Sequence, residues 1–173
     1  MPRTAHKERT ASTSRLGRLL APRSVAFIGG NIAQMAIARC AAAGFDGEIY
    51  AVHPTRETMA GQRCYPSVEA LPVVPDAAYV GVNREATIDV VRSLAKRGAG
   101  GCVCYAAGFS EVGAPGREFQ KRLVEAAGTM PLVGPNCFGF VNYLDRCALW
   151  PYLFGGAPVE QGVALISQSG NIA

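Results

Sequence analysis

"FIGGNIAQ", residues 27–34, is the stretch whose reading decides the fold. An apolar run, Ser24 to Ile28, meets Gly29 and Gly30 and then passes into small residues with helical character. A buried strand, a tight glycine turn and a helix start are written there in that order. The amides that open such a helix form a ready anion site. The full dinucleotide spelling, G-x-G-x-x-G, is absent, because the next glycine after Gly30 is Gly44. The turn therefore has the chemistry of a phosphate-facing loop without the pattern that wraps a pyrophosphate.

The same alternation continues outward. A short helix is predicted over 14–20 with Ser14 as its cap, and strand one over 24–29. A helix over 32–43 stops at Gly44, and a strand over 48–52 closes at His53-Pro54. A loop follows, with a helical turn near Ser67–Leu71. Next come a strand over 77–82, an amphipathic helix over 85–97 ending at Gly98, and a strand over 101–106. A glycine-rich loop then leads to a helix over 116–127 and a short strand over 131–134. Apolar strands alternating with helices of about a dozen residues indicate right-handed βαβ units and a parallel sheet covered on both faces. The expected fold is α/β, a Rossmann-like doubly wound parallel sheet. Residues 135–161 read as irregular connection and 162–168, GVALISQ, as a new buried strand. The expected division is a basic tail and short helix over 1–23, a ligand-binding domain over 24–142 and a linker over 143–161. The segment 162–173 would be the truncated start of a second domain.

Composition fits this picture and excludes others. The 173 residues are 49% hydrophobic and 17% charged, as in a well-cored globular chain. The net charge of +4 is concentrated in the first 23 residues, where Arg3, Lys7, Arg9, Arg15, Arg18 and Arg23 face only Glu8. The remainder carries 11 basic and 12 acidic residues, which argues against a nucleic-acid-binding body and for a solvated leader. No apolar stretch reaches the ~18 residues of a membrane span, and the N-terminus lacks a signal-peptide core. No membrane association and a cytoplasmic location are expected. The six cysteines, 40, 64, 102, 104, 137 and 147, show no metal-ligand spacing, and Cys102 and Cys104 should share one strand face. No metal site is expected.

Ligands of such sheets bind beyond the carboxyl ends of the strands. The candidates there are Gly29, Gly30, Asn31 and Gln34 at the first turn, and His53, Pro54 and Arg56 after strand two. Val82 and Asn83 follow strand three, with Asn83 as a helix cap. Ala106, Ala107, Gly108 and Phe109 follow strand four, and Asn136 and Cys137 follow strand five. A nicotinamide-binding domain would end strand two in Asp or Glu. His53 and Arg56 instead suit an additional ribose phosphate, the 3′ phosphate of coenzyme A or the 2′ phosphate of NADP. Cys137 has no histidine nearby in sequence to activate it and reads as a lining residue, not a nucleophile. No catalytic residue is expected in this chain.

The blocks "RSVAFIGG", "VHP", "PDAAYVGVNREATIDVV", "GAGGCVCYAAGFSEVG", "LVGPNCFGFVNY" and "GVALISQSGN" follow one another. In that order the chain resembles the NDP-forming (ADP-forming) acyl-CoA synthetases, a family related to the succinyl-CoA synthetase α-subunit. The resemblance runs from about Leu19 to Ala173, and its most specific parts are G-P-N-C-x-G and the terminal S-x-S-G. It implies coenzyme A as the ligand of this domain, and a following flavodoxin-like domain that supplies a phosphorylated histidine. ATP and Mg²⁺ would be held only in an ATP-grasp module outside this chain. Ser167, Ser169 and Gly170 would start a helix facing the phosphohistidine, and neither His6 nor His53 lies at the matching place. The implied partners are the remaining ligase and ATP-grasp domains, with room for a homo-oligomer of the full-length protein. Departures from the family are Gly-Gly-Asn in the first loop and Val82-Asn83-Arg84 where relatives often carry Val-Pro-Ala. The alternatives are an NADP-dependent oxidoreductase domain and a regulatory nucleotide-sensing module. The first lacks a placed proton donor. The second lacks a winged-helix domain ahead of the sheet.

Overall fold

The structure, a computed structural model, describes residues 14–166. Helix α1 is Arg15–Leu20, β1 is Ser24–Gly29, α2 is Asn31–Ala42 and β2 is Glu48–Val52. Two short strands follow, β3 at Thr58–Met59 and β4 at Gln62–Tyr65. Next are β5 at Ala77–Gly81, α3 at Arg84–Arg97 and β6 at Gly101–Cys104. Helix α4 is Ala114–Ala127, β7 is Leu132–Val133, β8 is Phe140–Asn142 and β9 is Cys147–Leu149.

The main sheet has the order β3-β4-β2-β1-β5-β6-β7 and is parallel except for β3 at its edge. β1 pairs with β2 on one side (Val25 opposite Ile49) and with β5 on the other (Val25 opposite Ala77). The order reverses at β1, and this switch point places a crevice beyond the tips of β1 and β5. The Rossmann-like α/β fold is as the sequence predicts.

Two apolar layers cover the sheet. On one face Ile88, Val91 and Leu94 of α3 and Leu123 of α4 pack over Ala78, Val80, Cys102 and Cys104. On the other, Ala33, Ala36, Ile37 and Cys40 of α2 pack with Leu19 of α1 over Val25, Phe27 and Tyr79. The Cys102 and Cys104 sulfurs are 3.9 Å apart on one strand face, as the alternation predicts. Helix α3 is capped by the Asn83 side chain, which accepts from the Ala86 amide, and ends in the left-handed Gly98. No helix among the described residues is long and apolar enough to cross a membrane.

Four features depart from the sequence reading. Arg18, assigned to a solvated leader, belongs to the folded body. Its Nε lies 2.7 Å from Asp76 Oδ1, and its guanidinium donates to the carbonyls of Gly98 and Pro75. The region after His53, read as loop, holds β3 and β4, and β4 extends the sheet in parallel with β2. Its turn, Ala60-Gly61, has positive φ at both residues, the conformation of a tight hairpin, without the Asn or Asp that usually announces one. Residues 135–161 contain the β8–β9 hairpin, whose Cys147, Ala148 and Leu149 are fully buried. Three-residue strands are too short for alternation to register. The strand expected over 162–168 is not formed at 162–166, and Val163, Leu165 and Ile166 are almost wholly exposed. A strand needs a neighbour for its backbone groups, and none pairs with this segment among the described residues. Residues 167 and 168 lie outside the described residues.

Adjacent residues of α4 test the layering, since Leu123 is fully buried and Val124 is 58% exposed. Leu123→Ala should lower the free energy of unfolding in urea by about 2–5 kcal/mol. Val124→Ala should change it by no more than about 0.5 kcal/mol. Equal effects would contradict the assigned faces.

Candidate functional site

The crevice begins with a steric requirement. Gly29 has φ +131°, and a Cβ there would fall 2.3 Å from the Gly81 carbonyl oxygen. Only glycine lets the β1 tip lie this close to β5. Gly30 precedes α2 and supplies no side-chain cap, so the first-turn amides of α2 are left to another acceptor.

Arg56 is brought to that helix start. Its Nη2 donates to Asn31 Oδ1 at 2.9 Å and its Nη1 to Gln34 Oε1 at 3.0 Å. A Cβ on Gly30 would lie 4.0 Å from Nη2, so the guanidinium stands over the glycine turn. The loop that carries Arg56 is folded by His53, whose Nδ1 accepts the amides of Thr55 and Arg56, each at 3.2 Å. Those bonds leave the neutral ring's proton on Nε2. Pro54 is exposed between them. Gly29, Gly30, Asn31, Gln34, His53, Pro54 and Arg56 thus share one corner.

Val82 lies beside this corner, its Cγ1 3.3 Å from where a Gly29 Cβ would stand. Asn83 spends its oxygen on the α3 cap. The loop after β6 forms a second group. Ala106 accepts the Asn136 amide at 2.8 Å, and Cys137 donates its amide to the Cys104 carbonyl at 3.4 Å. Gly108 has φ +98°. Ala106, Ala107, Gly108, Asn136 and Cys137 are therefore adjacent. Phe109 differs from expectation: its ring is fully buried in the core, so only its backbone faces the loop. Ser167, Ser169 and Gly170 lie outside the described residues.

Two residues missed in the sequence hold this second group in place. Arg84 donates to the Gly108 carbonyl at 2.8 Å and lies 3.7 Å from the Phe119 ring centre. Glu111 accepts the amides of Gly108 at 2.6 Å and Phe109 at 3.1 Å. A carboxylate three residues after a glycine in "GFSE" was the available signal. Partial burial pushes the Glu111 carboxyl up, but the amides of Gly108, Glu111 and Phe109 and the Arg84 charge together hold it below its ordinary value.

Aromatic rings close the far end. Phe138 stacks on Tyr105 (centroids 6.1 Å apart) and meets Trp150 and Tyr152 edge-on at 5.5 and 5.0 Å. The Tyr105 and Tyr152 hydroxyls are 2.5 Å apart, and that bond pushes the Tyr105 phenol up to about 12. Among the described residues no group of three or more His, Cys, Asp or Glu is placed to hold a metal ion. The arrangement offers cationic and amide donors at one corner and a small-residue path along the strand tips.

Residues 23–143 match the family model described as a CoA binding domain. Over 96% of its length the chain is 37% identical to a trans-feruloyl-CoA synthase from an unidentified prokaryote, covering 25% of that protein. Over 73% it is 35% identical to acetate–CoA ligase (ADP-forming) I of Archaeoglobus fulgidus, covering 18% of that protein. The apo form of dinucleotide-forming acetyl-coenzyme A synthetase 1 from Ca. Korarchaeum cryptofilum superposes with a TM-score of 0.73 at 30% identity. That match covers 78% of this chain and 31% of the other. The chain thus spans about a quarter of the length of these relatives.

The Glu111 lock carries a pH signature. Its carboxyl is held low in the folded state, so its stabilisation is present above the ordinary carboxylate range and is lost as pH falls through the folded value. Glu111→Gln should lower the melting temperature at neutral pH, and the gap to the unchanged protein should narrow progressively as pH falls below the ordinary carboxylate range. A gap that stays constant between those conditions would show that Glu111 does not act as a carboxylate there.

Proposed function

The chain belongs to the family of CoA-binding domains, and from that premise we propose that it is the CoA-binding portion of an NDP-forming acyl-CoA synthetase. The whole reaction joins an acid to CoA with ATP consumed to ADP and phosphate. ATP and Mg²⁺ belong to modules outside this chain, and the segment from residue 162 begins the next ligase domain. The relatives include a trans-feruloyl-CoA synthase and an acetate–CoA ligase, so the acyl group served by this family member is left open by the shared segment.

The observation that supports this reading most directly is the fixed guanidinium of Arg56 over the Gly29-Gly30 turn, at the amino end of α2. A helix amino end carries roughly half a positive charge. A full cation beside it makes a corner suited to a phosphate and ill suited to a carboxylate-bound ribose hydroxyl. Asn31 and Gln34 hold the guanidinium in place before any ligand arrives, which reduces the ordering that binding must supply. His53 folds the loop through Nδ1, which leaves its Nε2–H as a second donor. The glycine cradle at Gly29 and Gly30 admits the phosphoadenosine end closely. The pantetheine arm then follows Val82, Ala106, Ala107 and Gly108 toward Asn136 and Cys137, with Cys137 lining the path.

Calorimetric titration with CoA, dephospho-CoA, NAD and NADP tests the assignment. CoA should bind about 10- to 100-fold more tightly than dephospho-CoA, the range of a charge-assisted phosphate contact. Arg56→Ala should narrow that ratio toward one. Equal affinities for the two ligands in the unchanged protein would sink the phosphate assignment.

A further inference from the structure

We propose that the opposite, amino edge of the sheet carries a second ligand site, a pocket for a small monocarboxylate with an apolar body. The pocket lies between the last turns of α2 and the β8–β9 hairpin, lined by Arg39, Ala42, Ala43, Val141, Arg146 and Phe154 among others. Its volume is about 150 Å³, the size of cavities that accept benzene. Arg39 is eight residues into α2 from Asn31, about 12 Å along the helix axis from the Arg56 corner. The two sites are therefore separate.

The donor inventory selects the ligand. Tyr143 Oη donates to the Gly155 carbonyl, and Asn142 Nδ2 donates to Leu20 O and Asp145 Oδ2. Asn142 Oδ1 accepts the amides of Leu144 and Asp145. These polar groups are satisfied within the protein. The Arg39 guanidinium is not fully matched, and Arg146 faces solvent. Arg39 Nε is buried without a hydrogen-bond partner among the described residues. No ion pair there joins Arg39 or Arg146 to a carboxylate. A buried donor left unmatched costs stability and calls for an acceptor.

Arg146 is held at φ +54° beside Gly44, its Cδ 3.8 Å from where a Gly44 Cβ would lie. Compensation of the α2 carboxyl end alone would need about half a charge, whereas two full cations stand here. The last-turn carbonyls of Arg39 and Ala41 are already taken by the amides of Ala43 and Gly44. Two planar forks fit one carboxylate. Val141, Phe154, Pro158, Ala42 and Ala43 form walls that suit a hydrocarbon body and not a bare phosphate.

Butyrate is the probe, titrated by calorimetry and ligand-observed NMR with and without CoA, so the result is readable whether or not CoA binds. Saturable binding at millimolar butyrate is expected, unaffected by CoA. The neutral butyramide and inorganic phosphate should each bind at least tenfold more weakly. Arg39→Gln and Arg146→Gln should each weaken butyrate about tenfold, the loss of one charge-assisted contact. Arg146 is exposed, so its variant tests the site even if the Arg39 variant fails to fold. No saturable binding, displacement by CoA, equal binding of butyramide or phosphate, or indifference to Arg146→Gln would each overturn the proposal.

Discussion

The approach of Gly29 to the Gly81 carbonyl is the constraint on which the rest of the site depends. With a Cβ at 2.3 Å from that oxygen, β1 and β5 could not stay paired to their last residues. The close fit continues into α2: a Cβ on Gly81 would stand 3.4 Å from the Ala33 nitrogen and 3.3 Å from Ile32 Cγ2. Helix α2 therefore starts directly over the tips of both strands. Its open amides and the Arg56 guanidinium take their positions from that start. Replacing Gly29 would displace the charge pattern together with the backbone.

Placing Arg56 at a helix amino end brings two positive features together. Left alone, this arrangement is unfavourable by a few tenths to about 1 kcal/mol. The oxygens of Asn31 and Gln34 offset it within the protein. Those amide oxygens are neutral, so the corner keeps its net positive potential. At the other end of the crevice the same logic is inverted. Glu111 fills the amides of Gly108 and Phe109 with a carboxylate belonging to the chain itself, and Arg84 ties the Gly108 carbonyl. That loop is tied at its amides and at the Gly108 carbonyl, and offers shape more than charge. One end thus keeps a net positive potential, and the other is a small-residue loop whose polar groups are met within the chain.

Much of this was legible in the sequence because it rests on long, periodic elements and on glycine. The parallel order follows from apolar runs alternating with helices, and the Arg56 corner from the missing acid after β2. What the sequence concealed has a common physical origin. β3, β4, β8 and β9 are two to four residues long, and their faces are set by what they pack against, not by their own pattern. Phe109 stands in a loop motif but turns its ring into the core, because burying a phenyl group outweighs local position. Arg18 looked like part of a charged leader until its carboxylate, Asp76, came from 58 residues away. The segment 162–166 shows the converse case: its residues have strand preference, but preference cannot pair a backbone that has no neighbour among the described residues.

A parallel sheet also divides labour between its two edges. The tips of the parallel strands and the starts of α2, α3 and α4 fall at the carboxyl edge, so amides and glycine turns accumulate there. The amino edge receives helix carboxyl ends and must be closed by side chains. Around β1 it is closed by Asp76, which accepts from Arg18 and from the Arg23 amide, while the Ser24 hydroxyl accepts the Asp76 amide. Cations at this edge are therefore expected to meet carboxylates and backbone carbonyls, as Arg18 does with Asp76 and the Arg97 Nη groups do with the Glu69 and Leu71 carbonyls. Arg39 and Arg146 stand apart from that rule, with a cavity between them and no carboxylate supplied by the described residues. The excess of positive charge over local need separates a pocket that can take a ligand from a surface that is merely closed.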